Sequence, residues 1–203
     1  MMVVFQLIVL LFSVIIHEVS HGLMALFLGD DTAEKSGRLS LNPLVHLDLF
    51  GSIILPLLLF FGTHGSFVFG WAKPVPFNPL NLRHPRRDTA LVAVAGPLAN
   101  ISLAVIFGII IRFLEGGAFA SLIPFLNIIV LLNLILAVFN LIPIPPLDGS
   151  KILFYFFPSA QLEFFLNKYS LLLILLVLFF GFSLIWPLVS WLFKLITGLP
   201  VSL

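Results

Sequence analysis

Residues Val14 to Gly29 read VIIHEVSHGLMALFLG, with two imidazoles and a carboxylate set among apolar and small side chains. The apolar run holding them extends from Met2 to Leu28. A bilayer is crossed by about 20 mostly apolar residues in a helix. A charge at the centre of such a helix costs about 2.5–3.5 kcal/mol on insertion scales. The run is therefore constrained twice. It must be helical, because in lipid the backbone is satisfied only by bonds within the segment or a closed barrel. It must also supply partners inside the protein for His17, Glu18 and His21.

The rest of the composition agrees. Of the 203 residues, 61% are hydrophobic and 9% charged, against about 25% charged in soluble domains. The chain reads as an all-α polytopic membrane protein, with residues 1–203 forming a single integral-membrane domain. A net charge of +1 leaves no basic footprint for nucleic acid. With no cysteine, disulfides and thiolate metal sites are excluded. The first run has neither a basic flank nor a small-residue cleavage site after it, and is expected to be retained as a span.

About four transmembrane helices are expected, plus one short re-entrant or additional span. The long runs are Met2–Leu28, Thr89–Phe113, Leu122–Leu141 and Leu171–Ile196. The run Leu49–Phe61 is short and contains Gly51 and Pro56. Gly29 is placed to end the first helix, and GRLSL after it alternates like a short strand. Residues 150–170 are amphipathic enough to lie at an interface. Trp186 and Trp191 are spaced like an interfacial belt.

Lys35, Arg38, Lys73, Arg83, Arg86, Arg87, Lys151 and Lys168 flank the spans on what would be one side. Basic loops mark the cytosolic side. The run Leu49–Phe61 must then return to the side it left, whereas Lys194 runs against the pattern.

His17 and His21 are i and i+4, one turn apart on one helix face. Two imidazoles at that spacing can share a metal ion. Glu18, beside the first, is then placed to act as general base toward an activated water. A catalytic zinc usually takes three protein ligands. Asp148, in NLIPIPPLDG, is an acid among apolar and proline residues and needs a partner. The other carboxylates besides Glu18, Asp30 and Asp88 among them, mostly lie in charged loops where solvation explains them. His46, His64 and His84 are alternative ligands, and His46 with Asp48 could pair on a strand face. Pro143, Pro145 and Pro146 stop the fourth helix. Asn140 and Asn100 are candidate substrate-binding residues; either also reads as an interhelical hydrogen bond. Gly96 lets helices approach closely.

HEVSH in a first span, AGPLAN in a middle one and NLIPIPPLDG closing the next resemble the site-2 protease family of intramembrane zinc metalloproteases. The resemblance runs from about Ile16 to Leu153. GRLSLNPLVHLDLFGS and GWAKPVPFNP resemble its compact prokaryotic branch without PDZ domains. The resemblance implies one Zn2+ held by His17, His21 and Asp148, with Glu18 as catalytic base. It implies a site displaced toward the cytosolic side of a prokaryotic cell membrane. It also implies that FVFGWAKPVPF forms a small membrane-associated β-hairpin able to hold an unwound substrate by strand addition.

The activity expected is therefore intramembrane zinc endopeptidase. The partners expected are a transmembrane protein or peptide substrate and the lipid bilayer, with homo-oligomerisation open. A non-proteolytic metal-binding or ion-translocating membrane protein is the alternative; the other spans lack the ionisable relay it would need. A zincin of another lineage would take its third ligand from Glu115 or Glu163.

Overall fold

The computed structural model of the protein describes residues 2–62, 64 and 73–201. The first run is one helix, α1 (Met2–Phe27). Gly29, at φ 107°, closes it as expected. Gly29 N–H donates to Leu26 O at 3.0 Å and Asp30 N–H to Ala25 O at 2.9 Å. These two bonds satisfy carbonyls that the helix end would leave open. A short helix, α2 (Thr32–Lys35), follows.

GRLSL is not a strand. Residues 37–41 are turn, bend and irregular chain. Arg38 donates to Val45 O, and His46 Nε2 donates to Ser40 O at 2.7 Å. The segment folds back on itself through these side chains, which leaves no neighbouring strand to build a ladder. The short run is a π-helical stretch, Leu49–Ile54, continued by α3 (Leu55–Gly62). At about 1.5 Å rise per residue it falls well short of a hydrocarbon core of about 30 Å. Most of the expected β-hairpin lies outside the described residues. Its described part, 73–77, is irregular, and there is no strand among the described residues.

The next two spans are α4 (Pro85–Leu114) and α5 (Ile123–Asn140). With α1 they are three helices long and apolar enough to cross a membrane. The helix α4 continues through Pro97. The prolines after Asn140 do stop α5, and Asp148 then opens α6 (Asp148–Phe156). Next comes α7 (Ala160–Lys168), bent by 64° from the helical stretch Ser170–Gly181. The fifth run is not one regular helix. It comprises α8 (Ser170–Leu176), a π turn at Val177–Gly181, and α9 (Phe182–Thr197).

Helices α1, α4 and α5 pack on one another, with α6 against α4 and α9 against α4 and α5. One end of the bundle is apolar, with Ala104 and Ile111 of α4, Val130 and Leu134 of α5, and Val189 and Phe193 of α9 all buried. The outward faces carry Val3, Leu7, Leu57, Ile106, Leu172 and Phe179, large and exposed. Such surfaces are stable because lipid, not water, is their solvent. Toward the other end the seam between α1, α4 and α5 turns polar, and the functional cluster lies there.

Candidate metal centre

The i,i+4 spacing sets His17 and His21 on one face of α1, as expected. Both are buried, and Asp148 joins them from the first turn of α6. His17 Nε2 lies 3.1 Å and His21 Nε2 3.2 Å from Asp148 Oδ2, and the two Nε2 atoms are 3.0 Å apart. Among the described residues these three are the group whose ligand atoms all lie within 4.8 Å of one another.

Each imidazole is oriented from behind. His21 Nδ1 is 2.7 Å from Val92 O. A carbonyl only accepts, so Nδ1 carries a proton, which leaves Nε2 as the nitrogen able to present a lone pair to a metal. His17 is fixed by a longer chain. Asn133 Nδ2 donates to Ile129 O at 2.9 Å and to Ser13 Oγ at 2.9 Å. Its Oδ1 therefore accepts from Asn100 Nδ2 at 2.8 Å. Asn100 Oδ1 is thereby turned toward His17 Nδ1, 2.6 Å away. His17 must donate there, so its Nε2 is likewise the nitrogen left to face inward as a ligand.

Two Nε2 atoms and a carboxylate oxygen thus converge on one point. Without a proton or cation between them they repel. A tetrahedral ion about 2.0–2.2 Å from each donor sets the donors about 3.3–3.5 Å apart, within a few tenths of what is found. Gly96 leaves the room: a Cβ there would lie 2.5 Å from His21 Nε2 and 2.6 Å from His17 Nε2. Nitrogen and oxygen donors of this kind suit zinc and other divalent first-row metals.

The other candidates lie elsewhere. His46 is buried in a 3-10 turn, not on a strand, bonded to Ser40 O. Asp48 caps the π-helical stretch through Gly51 N–H. His84 precedes α4, 3.9 Å from Asp88. His64 occupies a turn at φ 52°. Glu115 caps the end of α4 and Glu163 sits in the first turn of α7.

Asn100 is not at a substrate surface. It is fully buried behind His17, its Nδ2 shared between Asn133 and Ser13 O. Asn140 ends α5, half-buried, and its Nδ2 donates to Leu136 O at 3.0 Å. Asp30 and Asp88 are not solvated loop acids. They are 0% and 1% exposed, because backbone and side-chain N–H groups bond their carboxylates.

Sequence reasoning missed Ser13, Asn133, Val75 and the use of Lys151. The Lys151 Nζ lies 3.2 Å from Asp148 Oδ1, the oxygen facing away from the imidazoles. The i,i+3 spacing of that pair was the readable signal. Glu18 Oε2 accepts from Val75 N–H at 2.8 Å.

The chain matches the model of Peptidase family M50 over residues 5–184.

It belongs to that family.

A Bacillus subtilis (strain 168) relative named as a zinc metalloprotease, YwhC, is 38% identical to this M50 peptidase over 199 residues, 92% of this chain and 86% of its own. The Mycobacterium tuberculosis (strain H37Rv) relative Rip2, also named so, is 33% identical over 189 residues, 91% of this chain and 71% of its own. A Methanocaldococcus jannaschii relative of the same description is 44% identical over 67 residues, 32% of this chain and 34% of its own. No solved structure matches the chain. Membership accounts for apolar spans and a metal-ligand cluster in one molecule. This is an integral-membrane peptidase.

Proposed function

We propose that this M50 peptidase is an intramembrane zinc endopeptidase. It cuts peptide bonds in or near the transmembrane segments of single-span proteins or of remnant peptides. His17, His21 and Asp148 hold the zinc, and Glu18 is the general base. The observation carrying this reading is the convergence of two inward-facing Nε2 atoms on Asp148 Oδ2, at 3.1 and 3.2 Å.

Zinc bound there supplies a Lewis acid that polarises the scissile carbonyl and lowers the pKa of a water. The chain's own residues do the rest. Asn100 and the Val92 carbonyl hold the imidazoles in one tautomer. Lys151 holds the outer oxygen of Asp148. Glu18 takes the proton of the attacking water and returns it to the leaving amine as the C–N bond breaks. A helical substrate hides its amides in internal hydrogen bonds, so the segment must unwind first. Asn140, at the end of α5, receives a substrate backbone group. The basic loops set this end of the bundle toward the cytosol of a prokaryotic cell.

The test uses purified protein in nanodiscs with a single-span substrate. Wild type and Glu18→Gln are both expected to bind one zinc per chain, and only wild type to cleave. Zinc-free, well-folded wild type would sink the metalloprotease reading.

A further inference from the structure

Glu18 is held by a segment remote in sequence. Val75, whose N–H it accepts, belongs to Lys73-Pro74-Val75-Pro76. Proline has no N–H. Val75 is thus the sole backbone donor of Pro74–Pro76, and it is spent on the Glu18 carboxylate. The same prolines suit the stretch poorly for strand addition, which needs donors along an edge.

The segment is fastened on both sides of this contact. Lys73 N–H donates to His46 O at 2.9 Å. Asn78 N–H donates to Asp30 Oδ2 at 2.6 Å, and Asn81 Nδ2 to Asp30 Oδ1 at 2.7 Å. Asp30, just beyond α1, is fully buried and also accepts from Thr32 N–H and its hydroxyl. Val75 is buried against Gly22, where a Cβ would lie 2.8 Å from Val75 Cγ1. Phe77 lies with its ring centroid 5.9 Å from the Lys151 Nζ that pairs with Asp148. One strap therefore bears on the carboxylate beside the first imidazole and on the support of the third donor.

We propose that Lys73–Asn81 is a latch that positions the Glu18 carboxylate, with Asp30 as the positioning residue that holds the latch closed. An untethered glutamate samples several rotamers. With Oε2 held by Val75, Oε1 is presented in one fixed orientation to take a proton. The latch deepens the reading of Glu18 as base and rests on it.

The test uses the full chain in nanodiscs. Val75→Pro removes the donated N–H, and Asp30→Asn turns one of its acceptor oxygens into a donor facing other donors. Both variants are expected to keep wild-type zinc content and KM while kcat falls about 10–100-fold, the range expected of a misplaced group. A merely structural role would move zinc content as well. Hydrogen exchange at the Val75 amide reads the latch without any cleavage. Its exchange is expected to speed up at least tenfold in Glu18→Ala and in Asp30→Asn. Zinc-loaded Val75→Pro with wild-type kcat overturns the proposal. So does Val75 exchange unchanged by Glu18→Ala. If Val75→Pro does not fold, Asp30→Asn decides by the same readouts. If exchange responds but wild type cleaves nothing, the latch stands and the reading of the site as a protease falls.

Discussion

Asn133 Oδ1 accepts a 2.8 Å hydrogen bond from Asn100 Nδ2 in a seam where both residues are fully buried. Hydrogen bonds between membrane helices average about 0.6 kcal/mol, so stability alone is a weak reason to place two amides there. Orientation is a better one, because this bond turns Asn100 Oδ1 toward His17. Asn133→Leu is expected to keep the helical fold and lower zinc affinity about 10–100-fold. Competition with a chelator, at matched circular dichroism, measures it.

Gly96 stands where any side chain would meet both imidazoles. Gly96→Ala is expected to abolish stoichiometric zinc binding while leaving the helical content of the protein intact. Metal analysis of the purified variant checks this. Normal zinc content would mean that α4 can retreat from α1.

Gly149 follows Asp148 for a similar reason. A Cβ on it would lie 2.2 Å from Leu141 O and 2.6 Å from Ile142 O. Backbone carbonyls cannot swing aside as a side chain can, so Gly149→Ala must displace the start of α6 and Asp148 with it. Loss of zinc binding is expected, with a melting temperature lower by several degrees, as for a destabilisation of about 1–3 kcal/mol. A thermal melt with metal analysis tests both.

Asp30 makes the latch pH-sensitive, and the sign can be worked out. Burial opposes its ionisation, but the hydrogen bonds from Thr32, Asn78 and Asn81 outweigh burial and hold its carboxyl below the ordinary carboxylate value. A depressed pKa adds stability that is complete above the unfolded-state value, near 3.8, and fades as pH falls through the folded-state value. Wild type is expected to lose protection at Asn78 N–H as pH drops through and below that range. Asp30→Asn, already unlatched, is expected to show a flatter profile. Hydrogen exchange at several pH values compares them.

The face shared by His17 and His21 was legible because helix periodicity is local: i and i+4 meet in any helix, whatever surrounds it. Three of the four long runs and the stop after Asn140 were legible likewise, from apolar length and the missing N–H of proline, whereas the break inside Leu171–Ile196 was not. GRLSL misled because alternation signals a strand only where a neighbouring strand completes its ladder, and Arg38 and His46 folded the segment on itself instead. Asp30 was misread because its partners, Asn78 and Asn81, come from 48 and 51 residues away.

The sequence by itself thus determined which residues share a helix face and which three helices are long and apolar enough to cross a membrane, since both follow from neighbours a few positions apart. Asp148 stood out in the sequence as an acid in need of a partner, but only the tertiary structure set it 3.1 Å from His17 across 131 residues. Only it decided that Ser13 and Asn133 orient that histidine and that Val75 holds Glu18. Those pairings arise from helix packing, where separation along the chain carries no information about distance in space.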